Sequence, residues 1–169
     1  MLDAFSSTPK GFERVAYLDG VRWKDQSGSE HGVVTTLVIP DAQLSPGNYR
    51  VVSEGIRRAS EHLFDHGLVR LAQIHTHGND WIGHSRTDDE RAYSQRNGAV
   101  SIVLPFHATH RPSPLEGGVH VRTDGGWIRI EPAVVVRQLV SNIDQRQAVE
   151  QPTKPQRHAR GRFPWSRKK

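Results

Sequence analysis

Residues 68–93 read LVRLAQIHTHGNDWIGHSRTDDERAY, and the fold and the chemistry both turn on them. The first nine, Leu68 to Thr76, are largely apolar and of strand length, so they predict a buried strand. On a strand, residues i and i+2 point to the same face, so His75 and His77 can present both imidazoles to one point. Gly78 ends the apolar run, and Gly78 to Gly83 reads as a loop. Ser85 and Thr87 are then N-cap candidates for a short helix that starts near Asp88. Residues three apart share a face of a helical turn, so Ser85 and Asp88 can look toward the same spot as the two histidines. Two neutral imidazoles and one carboxylate are the ligand set of a hydrolytic zinc centre, with the fourth position left for water. Each half has a plainer reading. A lone His-x-His on a strand is more often structural, and a lone Ser-x-x-Asp is a helix cap. Both fall within fourteen positions, directly after a buried strand, and that favours a metal site.

Working outward, Arg14 to Leu18 predicts a short strand before a break at Asp19-Gly20. Val21 to Lys24 and Val33 to Ile39 predict two more strands, joined through the polar stretch Asp25 to Ser29 and stopped by Pro40. Ser45-Pro46 predicts the opening of a helix. Val52, Ile56, Ala59 and Leu63 lie on one face of the segment Asn48 to His66, and Gly67 suits the residue after its end. Beyond the quoted stretch, Asn97-Gly98 predicts a turn and Ala99 to Leu104 a second buried strand. Phe106 to Gly118 predicts a loop, and Val119–Arg122 with Trp127–Ile130 a hairpin around Asp124-Gly125-Gly126. Pro132 to about Val149 predicts a last helix. No internal repeat is present. Strands alternating with helices able to cover them predict an α/β layered sandwich.

The chain has 169 residues, a length that suits one core. It has no cysteine, which excludes a disulfide framework and any thiolate metal ligand. The stretch Met1 to Phe5 has neither a basic region nor a long apolar run, so it does not read as a signal peptide, and no run approaches the ~18 apolar residues of a membrane span. A cytoplasmic location is the expectation. The formal charge of +5 is concentrated at one end: seven of the 23 Lys/Arg and none of the 18 Asp/Glu lie within residues 153–169. The remainder therefore carries 16 basic and 18 acidic residues. Residues 1–150 are expected to form the domain, and 151–169 a basic, disordered tail. Such a tail suits an acidic partner, a phosphate backbone or an anionic membrane surface, although Phe163 and Trp165 are too few for a stacking platform.

His75, His77, Ser85 and Asp88 together match the signature of the JAMM/MPN (Mov34, JAB-type) zinc metalloproteases, which the chain resembles over roughly residues 8–130. That family carries one more essential residue, a glutamate in a segment resembling Glu-x-x-Gly-apolar-Leu-x-Gly. Glu13-Arg14-Val15-Ala16-Tyr17-Leu18-Asp19-Gly20 is similar to it, with Ala16 in place of glycine. Gly78 and His84 stand where the family often has proline. The resemblance implies a three-layer α/β sandwich similar to that of cytidine deaminases, without their activity, since the cysteine ligands are missing. It implies Zn²⁺ held by His75, His77 and Asp88, Glu13 as the general base and acid, and Ser85 as the hydrogen-bond donor to the oxyanion. It also implies peptide or isopeptide hydrolysis at the C-terminus of a ubiquitin-like protein or its conjugates. The short segments Pro40–Asn48 and Pro105–Gly118 fit a compact bacterial member. Such members are often encoded beside activating- and conjugating-enzyme-like partners, including in antiphage defence operons. The rival expectations are a peptidase trimming a sulfur-carrier protein and a catalytically idle scaffold.

Around this set, other residues keep two readings each. Asp89 is either a charge at the helix start or a partner that orients a histidine. Trp81 either lines the substrate channel or packs under the loop. His84 either touches substrate or is a solvated loop residue. His107 and His110 read as loop histidines, and Thr76, pointing away from its neighbours, as a packing residue.

Overall fold

The computed structural model describes residues 11–113 and 115–140. The expectations for Met1–Phe5 and for the tail lie outside them. Among the described residues, eight strands make a six-stranded mixed sheet and a two-stranded hairpin. They are β1 (Val15–Lys24), β2 (Glu30–Val38), β3 (Ala42–Ser45), β4 (Asn48–Val51), β5 (Val69–Thr76), β6 (Val100–Leu104), β7 (Gly118–Thr123) and β8 (Gly126–Arg129). The large sheet runs β2-β1-β5-β6-β7-β8, and β5 and β6 are its parallel neighbours. Helices α1 (Ser53–His66), α2 (Arg86–Arg91) and α3 (Pro132–Val135) complete the order.

The central strands are buried on both faces, as their unbroken apolar runs require. Ala16, Leu18, Ala72, Ile74, Ile102, Leu104 and Val119 pack on one face with Ala108 and Val135. Val15 and Tyr17 pack on the other, with Tyr49 from the hairpin and Ala59 from α1. The result is the expected α/β sandwich. Successive side chains alternate faces, so His75, paired with Val15, belongs to the second face and lies beneath the hairpin and α2.

Two expectations fail for identifiable reasons. Asp19-Gly20 is not a turn: β1 runs through it, with register shifts against both neighbouring strands at that point. A Cβ on Gly20 would lie 1.9 Å from the Val33 carbonyl oxygen, so glycine is there for close approach of strands. The helix expected from Ser45-Pro46 starts only at Ser53. Residues 42–51 form the β3–β4 hairpin instead, turning at Gly47 with φ +68°. The Gly67 expectation holds: it is left-handed (φ 61°), and its N–H reaches the Leu63 and Phe64 carbonyls. The last helix begins at Pro132, widens into a π-type turn over Val136–Val140, and is not described further. No helix among the described residues is long and apolar enough to cross a membrane.

Candidate metal centre

β5 delivers His75 fully buried at its end, and the backbone stays extended long enough to present His77 on the same face. The His77 N–H donates to the Leu104 carbonyl of β6 (2.9 Å) and fixes that extension. The β1–β5 register, with Val15 opposite His75, places Glu13 opposite His77 two residues further along. Two hydrogen bonds extend the pairing there: Thr76 N–H to the Arg14 carbonyl and Arg14 N–H to Thr76 Oγ1, both 3.0 Å. Thr76 is therefore a buried packing residue whose hydroxyl fastens the Glu13 segment to the site.

The loop after Gly78 returns the chain to Ser85, the N-cap of α2. Ser85 Oγ accepts the Asp88 N–H (3.1 Å), and the Ser85 N–H and O–H both donate to Asp88 Oδ2 (2.7 Å each). This capping box fixes the Asp88 side chain. Its Oδ1 lies 3.4 Å from His75 Nε2, and its Oδ2 lies 3.4 Å from His77 Nε2. The three residues are buried, with one ligand atom from each within 4.8 Å of the others.

The His77 Nδ1–H donates to the Trp81 carbonyl (2.8 Å), which leaves Nε2 with a free lone pair toward Asp88. Neither ring nitrogen of His75 has a hydrogen-bond partner among the described residues. A buried imidazole without protein partners, facing a second imidazole and a carboxylate, fits a cation. Two nitrogens and one carboxylate suit a transition-metal ion better than magnesium or calcium, which prefer all-oxygen cages.

The electrostatics are those of a site built around charge. Burial alone would push the Asp88 carboxyl up, but His75, His77 and Ser85 hold it far below the usual carboxylate range. Burial keeps His75 below the ordinary histidine value. Burial pushes the Glu13 carboxyl up; His77 opposes this and Asp88 adds to it. An open cleft of about 430 Å³ exposes the cluster, lined by Glu13, His77, Ser85 and Asp88 together with Gly47, Asn48, Gly78 and Trp81. All five residues singled out from the sequence are therefore brought to one place, four of them on the cleft wall.

The residues with two readings now separate. Trp81 stacks its ring on His77 (5.0 Å between centroids, 16°) and remains 48% exposed on the cleft wall. Asp89 does orient a histidine, but the histidine is His84, with Nδ1 to Oδ1 at 2.9 Å. His84 is not solvated; its side chain is 5% exposed, and it stacks on His120 (4.2 Å, 24°). His107 packs against Gly78 from a turn in which Phe106, His107 and Ala108 all have φ between 51° and 57°. That strained turn is held to the site, since the Phe106 and His107 N–H groups donate to the carbonyls of Asn79 and His77. Sequence reasoning missed Tyr49, whose ring lies 5.5 Å from that of His75 and whose hydroxyl accepts a hydrogen bond from Gln73. It also missed His120, which is buried on β7 although the apolar alternation Val119, Val121 marks the opposite face as the inward one.

No family model matches the chain. The fold resembles the solution structure of protein DSY2949 from Desulfitobacterium hafniense, with a TM-score of 0.55 at 17% identity, over 78% of this chain and 83% of that one. In sequence the chain is 32% identical over 123 residues to the "Probable metalloprotease y4jG" of Sinorhizobium fredii, spanning 69% of this chain and 75% of that one. A buried His-His-Asp cluster open to a cleft is the equipment such a name calls for, and the chain belongs to that metalloprotease family.

Proposed function

We propose that the protein is a JAMM/MPN-type zinc peptidase that hydrolyses a peptide or isopeptide bond at the C-terminus of a ubiquitin-like protein. The observation that carries this reading is the convergence of Glu13 on the His75–His77–Asp88 cluster. The sequence separates Glu13 from His77 by more than sixty residues, and the β1–β5 register brings them side by side.

His75, His77 and Asp88 would hold the ion. Zinc so held supplies a Lewis acid that polarises a carbonyl and brings the pKa of water from 15.7 to about 7. Glu13 sits on the cleft wall with a carboxyl whose proton affinity burial has raised, the direction a general base working near neutrality needs. It takes the proton from the attacking water and returns it to the departing amine. Ser85 lines the same cleft and has one hydroxyl proton, now directed at Asp88 Oδ2. Rotation about Cβ–Oγ re-aims that proton at the carbonyl oxygen of a substrate as negative charge develops there. Trp81 and Gly78 line the same cleft.

The test is cleavage of ubiquitin-like proteins fused through their C-terminus to a reporter, comparing wild type with Glu13→Ala. Cleavage by wild type alone is the expected result. Equal cleavage by both would remove Glu13 from the mechanism. Cleavage of only a sulfur-carrier fusion would move the substrate to that class. A protein that binds zinc and cleaves none of the fusions would refute the substrate assignment.

A further inference from the structure

A histidine that ligates a metal through one nitrogen almost always donates its other N–H to a fixed acceptor, which sets the tautomer and the ring plane. His77 has this arrangement through the Trp81 carbonyl. His75 does not: with Nε2 turned toward Asp88, its proton resides on Nδ1, and that atom is buried without an acceptor among the described residues. Beside it is the complementary deficit. His84 has its Nδ1 2.9 Å from Asp89 Oδ1; a carboxylate accepts, so Nδ1 carries the hydrogen and Nε2 presents a lone pair. That Nε2 is also buried and without a partner among the described residues. The two rings lie 5.7 Å apart, centroid to centroid. His84 cannot swing out, because it is stacked on His120 (4.2 Å) and flanked by Trp127 (5.0 Å).

We infer that His84 is a positioning residue for the metal centre: locked by Asp89, it accepts the Nδ1–H of His75 and so fixes the plane in which His75 offers Nε2. A small rotation of either ring, or a single bridging water, closes the link. This role rests on the metal-binding reading of His75, His77 and Asp88. It gives a reason for a histidine immediately before the helix cap, and a reason for Asp89 beyond its charge.

The test measures Zn²⁺ and Co²⁺ affinity of the full chain by competition with a chelator, in wild type, His84→Phe, His84→Gln, Asp89→Ala and Asp88→Asn. Phe keeps a ring in the stack and removes the acceptor; Gln restores an acceptor oxygen. The expected result is roughly 10- to 100-fold weaker binding in His84→Phe, the usual effect of losing such a partner. His84→Gln should return to within a few-fold of wild type, and Asp89→Ala should fall between. Asp89 is 45% exposed, so its variant keeps the test available should His84→Phe fail to fold. In the zinc-loaded protein, side-chain ¹⁵N NMR should show a protected His75 Nδ1–H in wild type that exchanges rapidly in His84→Phe. Affinity in His84→Phe equal to wild type, or equal losses in the Phe and Gln variants, overturns the role while the centre stands. Absence of binding in wild type, or binding unchanged by Asp88→Asn, refutes the centre itself and the role with it.

Discussion

Replacing Asp88 with Asn separates what this residue does for the fold from what it does for a metal. In the metal-free protein the carboxylate closes the capping box of α2 and faces two imidazoles from a buried position, 6% exposed. Asn keeps an oxygen for the Ser85 N–H and O–H, so the metal-free cost should stay near the worth of a cap, about 1 kcal/mol. The metal-loaded state is different. At free metal one hundred times the dissociation constant, wild type gains about 2.7 kcal/mol from binding. At about 4 °C per kcal/mol for a domain of this size, that raises the melting midpoint by about 10 °C. Asn offers a neutral amide where a charged ligand is needed, so this gain should vanish. The assay is thermal melting by circular dichroism with and without Zn²⁺, after stripping with a chelator. A metal-induced rise of the same size in Asp88→Asn, or no rise in wild type, would refute the centre.

Ser85→Ala should cost about 1 kcal/mol of stability through the lost cap, and about 10²- to 10³-fold in kcat through the lost oxyanion donor. A stability loss with kcat unchanged would confine Ser85 to capping. Gly118→Ala puts a Cβ 1.9 Å from the Ile82 carbonyl oxygen, a backbone atom that cannot yield without moving the loop between Gly78 and Gly83. Urea unfolding should show a loss of about 3 kcal/mol, and a loss below about 1 kcal/mol would mean that the loop is not seated on β7 as described. Burial, with neighbouring His84, brings His120 down to about 4 from 6.5. The unfolded chain therefore takes up a proton that the folded chain refuses, and this contribution to stability is lost as the pH falls from about 6.5 to 4. At about 1.36 kcal/mol per pH unit it amounts to about 3 kcal/mol, visible as the difference between metal-free wild type and His120→Gln across that window. Parallel pH profiles for the two proteins would contradict it.

The site was legible because its chemistry is local. His75, His77, Ser85 and Asp88 fall within one strand, one loop and one cap, where periodicity alone says which way each side chain points. Glu13 was legible only through family resemblance, since its place depends on a strand register that no local pattern encodes. The errors share a cause: tertiary contact overrode a local signal. Asp19-Gly20 has the composition of a turn, but its glycine answers to the approach of the Val33 carbonyl across the sheet. Ser45-Pro46 has the composition of a helix start, but Leu44 and Val51 pack with buried Tyr49 against Val15, Tyr17 and Ala59, which a hairpin permits. His84 looked like a solvated loop residue because nothing nearby in sequence reveals His120, 36 positions later, against which it stacks.

One carboxylate ties these observations together. Helix α2 has six residues, far fewer than the ~12–15 at which an isolated helix becomes even marginal in water. It is capped here by the Asp88 side chain, which satisfies the Ser85 backbone and hydroxyl and lies 3.4 Å from both His75 and His77. The group that ends the loop is thus the group that meets the histidines. Asp89, one residue on, anchors His84 at the back of the same cluster. A helix of this length has little intrinsic stability and need not have more, because it brings two adjacent carboxylates to three histidines, Asp88 to His75 and His77 and Asp89 to His84. The spacing of a capping box, three residues from N-cap to N3, is then also the spacing that places a hydroxyl beside the carboxylate of the cluster, which is why a folding signal and a chemical one coincide in Ser-x-x-Asp.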